Sequence, residues 1–438
     1  MKLRTAAAMA VLVLSALPSL AQPTANQRLA VGMTRSLVKD LFQSNAVPYI
    51  QPMVTTINAT SNARFYNSAH VPKKVDKPYF KVSVNGMVGF IRDDQKSYTP
   101  SLDLGTPSSS LLSDVGKYGT IDLVNRKFII NPTFEDTLGL ATLLMREMLI
   151  ETQKQGKFPL PPSAPTMFGY QPDVRVYLPP TDTLIAALRG RPDYQALVAA
   201  AGPGVDSTLA GLLNGLALPP YLTLPPGVNM STLIAAVPQL EIGSLFGTEL
   251  LIRFIPPVEF DPNVGKFSFY GIGLKHSISQ YFEEPPIEAA AQIVYQGTSL
   301  TNTVGFTESS LEADAQIWNA NIHVSKQLFD FMDIYSGLNY ERIDVTSTYS
   351  YRLPQEVLIA LGLVPRPPDG QPVDPEAIKA ADPYPQTSVV KAGDTNIKWT
   401  IGLAGQIGKQ GSFGSVRFSL DYSVSRFNIF SGGVQVTL

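Results

Sequence analysis

Any chemistry in this 438-residue sequence has to be done with three histidines and no cysteine. Without cysteine there is no disulfide, thiolate nucleophile or Cys-ligated metal. His70, His276 and His323 are widely separated, and no HExxH zinc helix, phosphate-binding glycine loop or GxSxG elbow occurs. Asp93-Asp94 and Glu283-Glu284 are adjacent carboxylates, but neighbours on a strand point to opposite faces, so both pairs read as solvated turn charges. One pattern has catalytic content. His323-Val324-Ser325 sets an imidazole and a hydroxyl on one strand face, and a turn near 329–332 would bring Asn339 or Glu341 alongside to orient the base. That is the arrangement of an acyl hydrolase. The parity of the strand groups His323 and Ser325 with Asn319 and Asn321, on its polar side. Hydrolysis is therefore the remote alternative and a wall-lining role the main reading. No catalytic residue, metal ligand or cofactor is assigned.

The elements that would hold these residues are strands. Val416, Phe418, Leu420, Tyr422 and Val424 alternate with Arg417, Ser419, Asp421 and Ser423, a strict period of two. Ile397, Trp399, Ile401 and Leu403 alternate with Lys398, Thr400 and Gly402. The same pattern appears at Trp318 to Ser325, at Tyr270 to Ser279 and at Phe80 to Phe90. Nine strands are expected in the back of the chain, at roughly 238–243, 247–256, 266–279, 287–297, 312–327, 334–351, 395–407, 415–425 and 430–438. Three more are expected at Tyr79–Ile91, Gly119–Ile130 and Thr166–Leu178. Links at 243–246, 280–286, 328–333 and 408–414 are short, whereas 352–394 is long and Pro-rich and 298–311 is moderate. Short turns at one end and long loops at the other are the habit of bacterial membrane barrels.

The front of the chain supplies the compartment. Met1-Lys2-Leu3-Arg4, an apolar stretch to Leu17 and small residues through Ala21 read as a secretory signal peptide over 1–21. No later segment is an unbroken apolar run long enough for a membrane helix, and only a closed barrel satisfies every backbone group among strands in hydrocarbon. A net charge of −2 argues against nucleic acid. Residues 22–78 read as an amphipathic helical plug or periplasmic segment, with a break at Pro48. A helical, Pro-rich insertion is expected at about 132–237, too apolar for a solvated linker.

Several stretches resemble an uncharacterised family of bacterial outer-membrane barrels with a domain of unknown function. They are Tyr49-Ile50-Gln51-Pro52 through Phe65-Tyr66-Asn67, Phe80 to Arg92, Pro238-Gln239-Leu240-Glu241-Ile242-Gly243 with Gly247-Thr248-Glu249, and Gly271 to Gln280. A more distant likeness to the long-chain fatty-acid outer-membrane transporters implies an N-terminal hatch inside the barrel and an apolar cargo. The Asn-Pro-Ala signature associated with that hatch is absent, and the chain ends in Leu438 where such barrels usually end in an aromatic residue. The combined expectation is an all-β, antiparallel transmembrane barrel over 79–438, with about 12 strands in a range of 10 to 14. It would sit in the cell outer membrane, in contact with its lipid. It would be a channel or binding protein for hydrophobic small molecules, the alternative being a structural or secretion-associated barrel. Arg253, Lys275, His323, Ser325, Asn339, Glu341, Lys398, Arg417 and Asp421 are expected to line the lumen.

Overall fold

In the computed structural model, residues 24–438 are described, except 123, 215–217, 262–264, 305–308, 369–370, 372 and 409–412. The expected signal peptide therefore lies outside the described residues. Ten antiparallel strands close into a barrel. In chain order they are β1 (Tyr79–Phe90), β2 (Thr232–Leu245), β3 (Thr248–Asp261), β4 (Gly265–Ser277), β5 (Glu288–Val304), β6 (Ser309–Phe329), β7 (Met332–Tyr351), β8 (Gln386–Ile407), β9 (Val416–Val424) and β10 (Ile429–Thr437). Each pairs with its sequence neighbour, and β1 closes the ring on β10 from Lys81↔Thr437 to Gly89↔Ile429.

The expectation of about 12 strands is corrected to ten. Gly119–Asp122 pairs with Lys127–Ile130 in a separate hairpin, and Arg175–Tyr177 pairs with Tyr221–Thr223 outside the barrel. These segments have three or four paired residues, far short of the ~9–11 that a membrane strand needs, and alternation over so short a stretch does not reveal what it faces.

Several strands are longer than expected. β8 begins at Gln386 rather than near 395, and the link expected at 298–311 is mostly strand. The cause is an inversion of polarity partway along each strand. In the upper part of β6, Ala313, Ala315 and Ile317 are buried inside the barrel while Glu312, Asp314 and Gln316 face out. One residue later the pattern reverses: Asn319, Asn321, His323 and Ser325 are inside, and Trp318, Ala320 and Ile322 face out. β7 repeats it, with Ile343 and Val345 inside above and Asn339 and Glu341 inside below. A pattern read in a single phase stops at the inversion.

The barrel's long-loop end carries a helical cap. Residues 91–231, between β1 and β2, and 352–385, between β7 and β8, contribute to it. The insertion expected at 132–237 thus starts earlier and ends sooner. Helix α1 (Ala25–Ser61) is closed at its start by a capping box, in which Thr24 Oγ1 accepts from the Gln27 amide and Gln27 Oε1 accepts from the Thr24 amide. Its first half packs Leu29, Met33, Leu37 and Leu41 against helix α2 (Phe134–Lys154) through Leu140, Leu144 and Met148. Arg191 ties this cap to itself by pairing with both Glu147 and Asp193, and its hydrogen bonds hold the Asp193 carboxyl below the usual range.

The break expected at Pro48 does not occur. α1 runs through Pro48 and Pro52. A proline frees the carbonyl four residues earlier, and here the Ser101 hydroxyl donates to the Ser44 carbonyl at 3.4 Å. The second half of α1 then enters the barrel, where Ala46, Ile50, Met53 and Val54 fill the apolar upper lumen against Met87, Val237, Ile255, Ile317 and Ile343.

Candidate functional site

Below the helix, the lumen turns polar and the chain runs through it without regular secondary structure. The end of α1 presents carbonyls without helical partners, at the negative pole of the helix dipole. Two wall cations meet them. Arg253 donates to the carbonyls of Ser61 (3.0 Å), Ala63 (2.8 Å) and Arg64 (2.7 Å), with its guanidinium over the Phe65 ring at 4.1 Å. Lys398 donates to the carbonyls of Asn62 (2.8 Å) and Ala59 (3.3 Å) and pairs with Glu341. Both cations come from strand positions that period two turns inward, so the barrel wall caps its own plug.

Residues 62–72 continue toward the short-turn end, held at nearly every step. Arg64, in a left-handed conformation (φ 62°), bonds Asp421 and the Ser419 hydroxyl at 2.5 Å each and Tyr335 at 3.0 Å. Tyr66 stacks on the His323 ring, with centroids 4.0 Å apart, and accepts from Asn339 Nδ2 at 3.1 Å. Arg417 donates to the Asn67 carbonyl at 2.9 Å and to Asp333 at 2.6 Å. The Ala69 amide donates to Ser325 Oγ at 2.9 Å, and the Ser244 hydroxyl donates to the Pro72 carbonyl. Lys275 faces the remaining charges, joining Lys81 on Glu249 with Glu241 nearby.

All nine residues named from the sequence as lumen candidates are buried inside the barrel. Eight touch the plug segment or pair with a residue that does, and Lys275 belongs to the carboxylate cluster. His323 and Ser325 do not form a pair: His323 Nδ1 bonds Asn321 Oδ1 at 2.8 Å, while Ser325 serves the Ala69 amide. The sequence reading missed the plug side of these contacts, Arg64, Tyr66 and Asn67 among them, and also missed Glu241, Glu249 and Tyr335. The available signal was an arginine and two aromatics in a stretch with no period.

Gly433 makes room for this arrangement. A Cβ there would lie 2.6 Å from Arg64 Nη2 and 2.5 Å from Asn85 Oδ1. Gly433→Leu is expected to displace the Arg64 side chain and to cost about 1–3 kcal/mol by overpacking. Thermal unfolding in detergent reads the loss, and an unchanged melting temperature would mean that the plug is slack at this point.

A second feature lies in the wall. The β2–β3 ladder runs from Leu245↔Thr248 to Gln239↔Arg253 and stops. Above it, Thr232–Pro238 stays paired with β1, and β3 stays paired with β4 as far as Asp261. Pro238, Pro256 and Pro257 stand at the parting and have no N–H to offer a ladder. The seam is apolar through its thickness. Ile234 and Phe254 are exposed outside, and Val237 and Ile255 belong to the apolar cluster around Ile50, Met53 and Val54 inside. At the cap–barrel junction, a crevice of about 90 Å³ lies between Leu41 and Phe42 of α1, Leu222–Pro225 and Tyr349.

A family model described only as a family of unknown function matches residues 1–438. No curated protein matches the chain. Among solved structures, a FadL homologue of Pseudomonas aeruginosa is similar at 9% identity, covering 83% of this chain and 89% of that one, with a TM-score of 0.20. A BenF-like porin from Pseudomonas fluorescens Pf-5 is similar at 9% identity over 48% of this chain and 68% of that one, with a TM-score of 0.12. OccK2 (OpdF) of Pseudomonas aeruginosa is similar at 9% identity over 50% and 83%, with a TM-score of 0.11. These are remote likenesses to barrels.

Proposed function

Since the chain belongs to that family of unknown function, DUF6588, we propose from the geometry of its barrel that it is an outer-membrane protein that passes hydrophobic small molecules between its upper lumen and the membrane, with residues 25–72 as the gate. The observation that carries this reading is the proline-marked seam between β2 and β3, which joins an apolar exterior to an apolar compartment. A polar solute gains nothing from such a route, because it would shed its hydration against aliphatic walls. An apolar solute gains about 25 cal/mol for each Å² it removes from water.

The membrane location is supported by the outward belt. On β8 it runs through Ile397, Trp399, Ile401, Leu403 and Ile407, all exposed. At about 3.3 Å per residue and a tilt of about 40°, this stretch is about 25 Å tall, the height of a membrane-barrel belt. Above it, the outer face turns to Glu312, Asp314, Asp344 and Lys391, which suits water.

Uptake into liposomes tests the proposal. A fluorescent fatty acid is expected to equilibrate faster with the protein present, and Val237→Trp, which fills the inner lip of the seam, is expected to slow it about tenfold, a difference of about 1.4 kcal/mol in barrier height. Equal uptake by the two forms, or uptake no faster than in empty liposomes, would end this reading.

A further inference from the structure

We infer that the outer wall holds one phospholipid at a fixed site, its phosphate at a polar cluster around His276 and one acyl chain in the groove that rises from there. This inference rests on the belt facing lipid. It stands on two independent features, a donor array and a hollow, that meet at one point.

His276 lies one residue before the end of β4 and shares the outward face with Tyr270, Ile272 and Leu274. Its Nδ1 is 2.8 Å from Thr248 Oγ1, and its Nε2 is 2.9 Å from both the Tyr281 hydroxyl and Gln280 Nε2. Gln280 Nε2 also donates to the Ser277 carbonyl at 3.1 Å, which fixes the amide nitrogen toward the ring. Nε2 is then the acceptor and Nδ1–H the donor, so Thr248 receives a hydrogen bond and keeps its own O–H to give. Gly247, with φ 72°, lets Gln280 come this close, since a Cβ there would lie 2.4 Å from the amide oxygen. With Nδ1–H given to Thr248 and the Nε2 lone pair met by Gln280, the imidazole has no donor left, and it holds the hydroxyls of Thr248 and Tyr281 together on the outer surface at the short-turn end as the donors of the cluster. Tyr281 and Phe282 beside them are exposed, as expected of an interfacial aromatic girdle. Such an array suits the oxygens of a phosphate at the headgroup level.

From His276 an outward groove of about 810 Å³ crosses the wall. Its floor is Ala291 and Ala320, the small residues in two hydrogen-bonded rows that are otherwise large. Leu274, Ile293, Ile322, Leu338 and Ile397 form its sides. The rows rise as they cross the tilted strands. His276 sits at the short-turn end of β4, whereas the same row reaches Trp399 on β8 opposite Val424, the last residue of β9. From β4 to β8 is four strand spacings, about 19 Å, enough for a chain spanning half of a ~30 Å hydrocarbon core. A groove that starts at polar donors on one interface and climbs as a hydrophobic slot has the polarity of a single phospholipid.

Native mass spectrometry of the full-length protein, stripped of lipid in detergent and titrated with phosphatidylglycerol or diacylglycerol, tests this. One phosphatidylglycerol is expected to remain bound, with diacylglycerol bound at least tenfold more weakly. Ala320→Trp, which fills the floor, and His276→Ala, which removes the ring that orients the Thr248 and Tyr281 hydroxyls, should each weaken binding about tenfold. The outward control Val84→Trp, on β1 across the ring from the groove, should not. Equal retention by all forms, or equal retention of diacylglycerol, would overturn the site. His276→Gln and Ala291→Phe serve if either first variant misfolds. Failure of the membrane premise is visible separately. The sequence has two tryptophans, Trp318 and Trp399, and both face outward. Brominated lipids should quench them, and unquenched emission would remove the premise itself.

Discussion

Replacing Asp421 with alanine is expected to loosen the plug more than any other single change in the polar lumen. The Arg64 and Asp421 side chains are each 1% exposed, and their ion pair closes at 2.5 Å, with Tyr335 donating to the same carboxylate at 2.8 Å. Removing the acid leaves a buried guanidinium without its counter-charge, at a cost of about 3–5 kcal/mol. The protein has two ways to avoid that cost: it can unfold, or it can release residues 62–72 so that Arg64 reaches water. In a planar bilayer, the second outcome would be an ion conductance larger than that of the wild type. The double variant Asp421→Ala with Arg64→Ala separates the charge effect from simple loss of packing. It should recover much of the stability lost by the single change, because no charge is then stranded. If the single variant neither conducts more nor loses stability, the pair does not hold the plug.

The second large effect concerns the barrel's outer face. Leu403→Arg places a cation in the middle of the β8 belt, beside Ile334 and Leu420 in the ladders. In a bilayer this is expected to cost about 2–4 kcal/mol. Thr346→Arg, on the outward face of β7 but above the polarity inversion, should be close to neutral. Folding into lipid vesicles, followed by resistance to urea, reads both. The contrast matters more than either value, since both variants add the same charge to the same side of the sheet. If the two behave alike, the level of the inversion is not the level of the membrane surface.

The inversion also explains what could be read from the sequence. In β9, Arg417, Ser419 and Asp421 alternate with Phe418, Leu420 and Tyr422 along the whole strand, so its direction and sides are plain. β6 is different. From Glu312 to Gln316 its even positions are charged or polar, and from Trp318 to Val324 its even positions are apolar or small, so the upper part of the strand looks like a loop to any single-phase pattern. The short hairpin at Gly119–Ile130 misleads in the opposite direction. Ile121 and Phe128 sit on an apolar side because they meet the cap helices, and four residues carry too little pattern to tell a helix surface from a lipid one.

The plug divides in the same way. Leu37 and Leu41 mark α1 as amphipathic, but nothing local says that Pro48 and Pro52 are tolerated, since the carbonyl freed by Pro48 is answered from Ser101, far along the chain. Arg253 and Lys398 could be placed inward by parity alone. That they meet at the end of one helix depends on where that helix stops relative to two strands nearly 150 residues apart in sequence, and no local rule encodes that distance.

By itself, the amino-acid order determined the strands of the lower wall and which of their side chains turn inward, because a pleated strand alternates with a period of two whatever its partners are. It also set the seam, since proline has no N–H to pair in any fold. Only the tertiary structure decided that ten strands close the ring, that residues 46–72 occupy it, and that Arg64, Arg253 and Lys398 converge there. Closure and plugging are long-range events, made by a backbone ladder and by packing between segments whose separation in sequence carries no signal of their meeting.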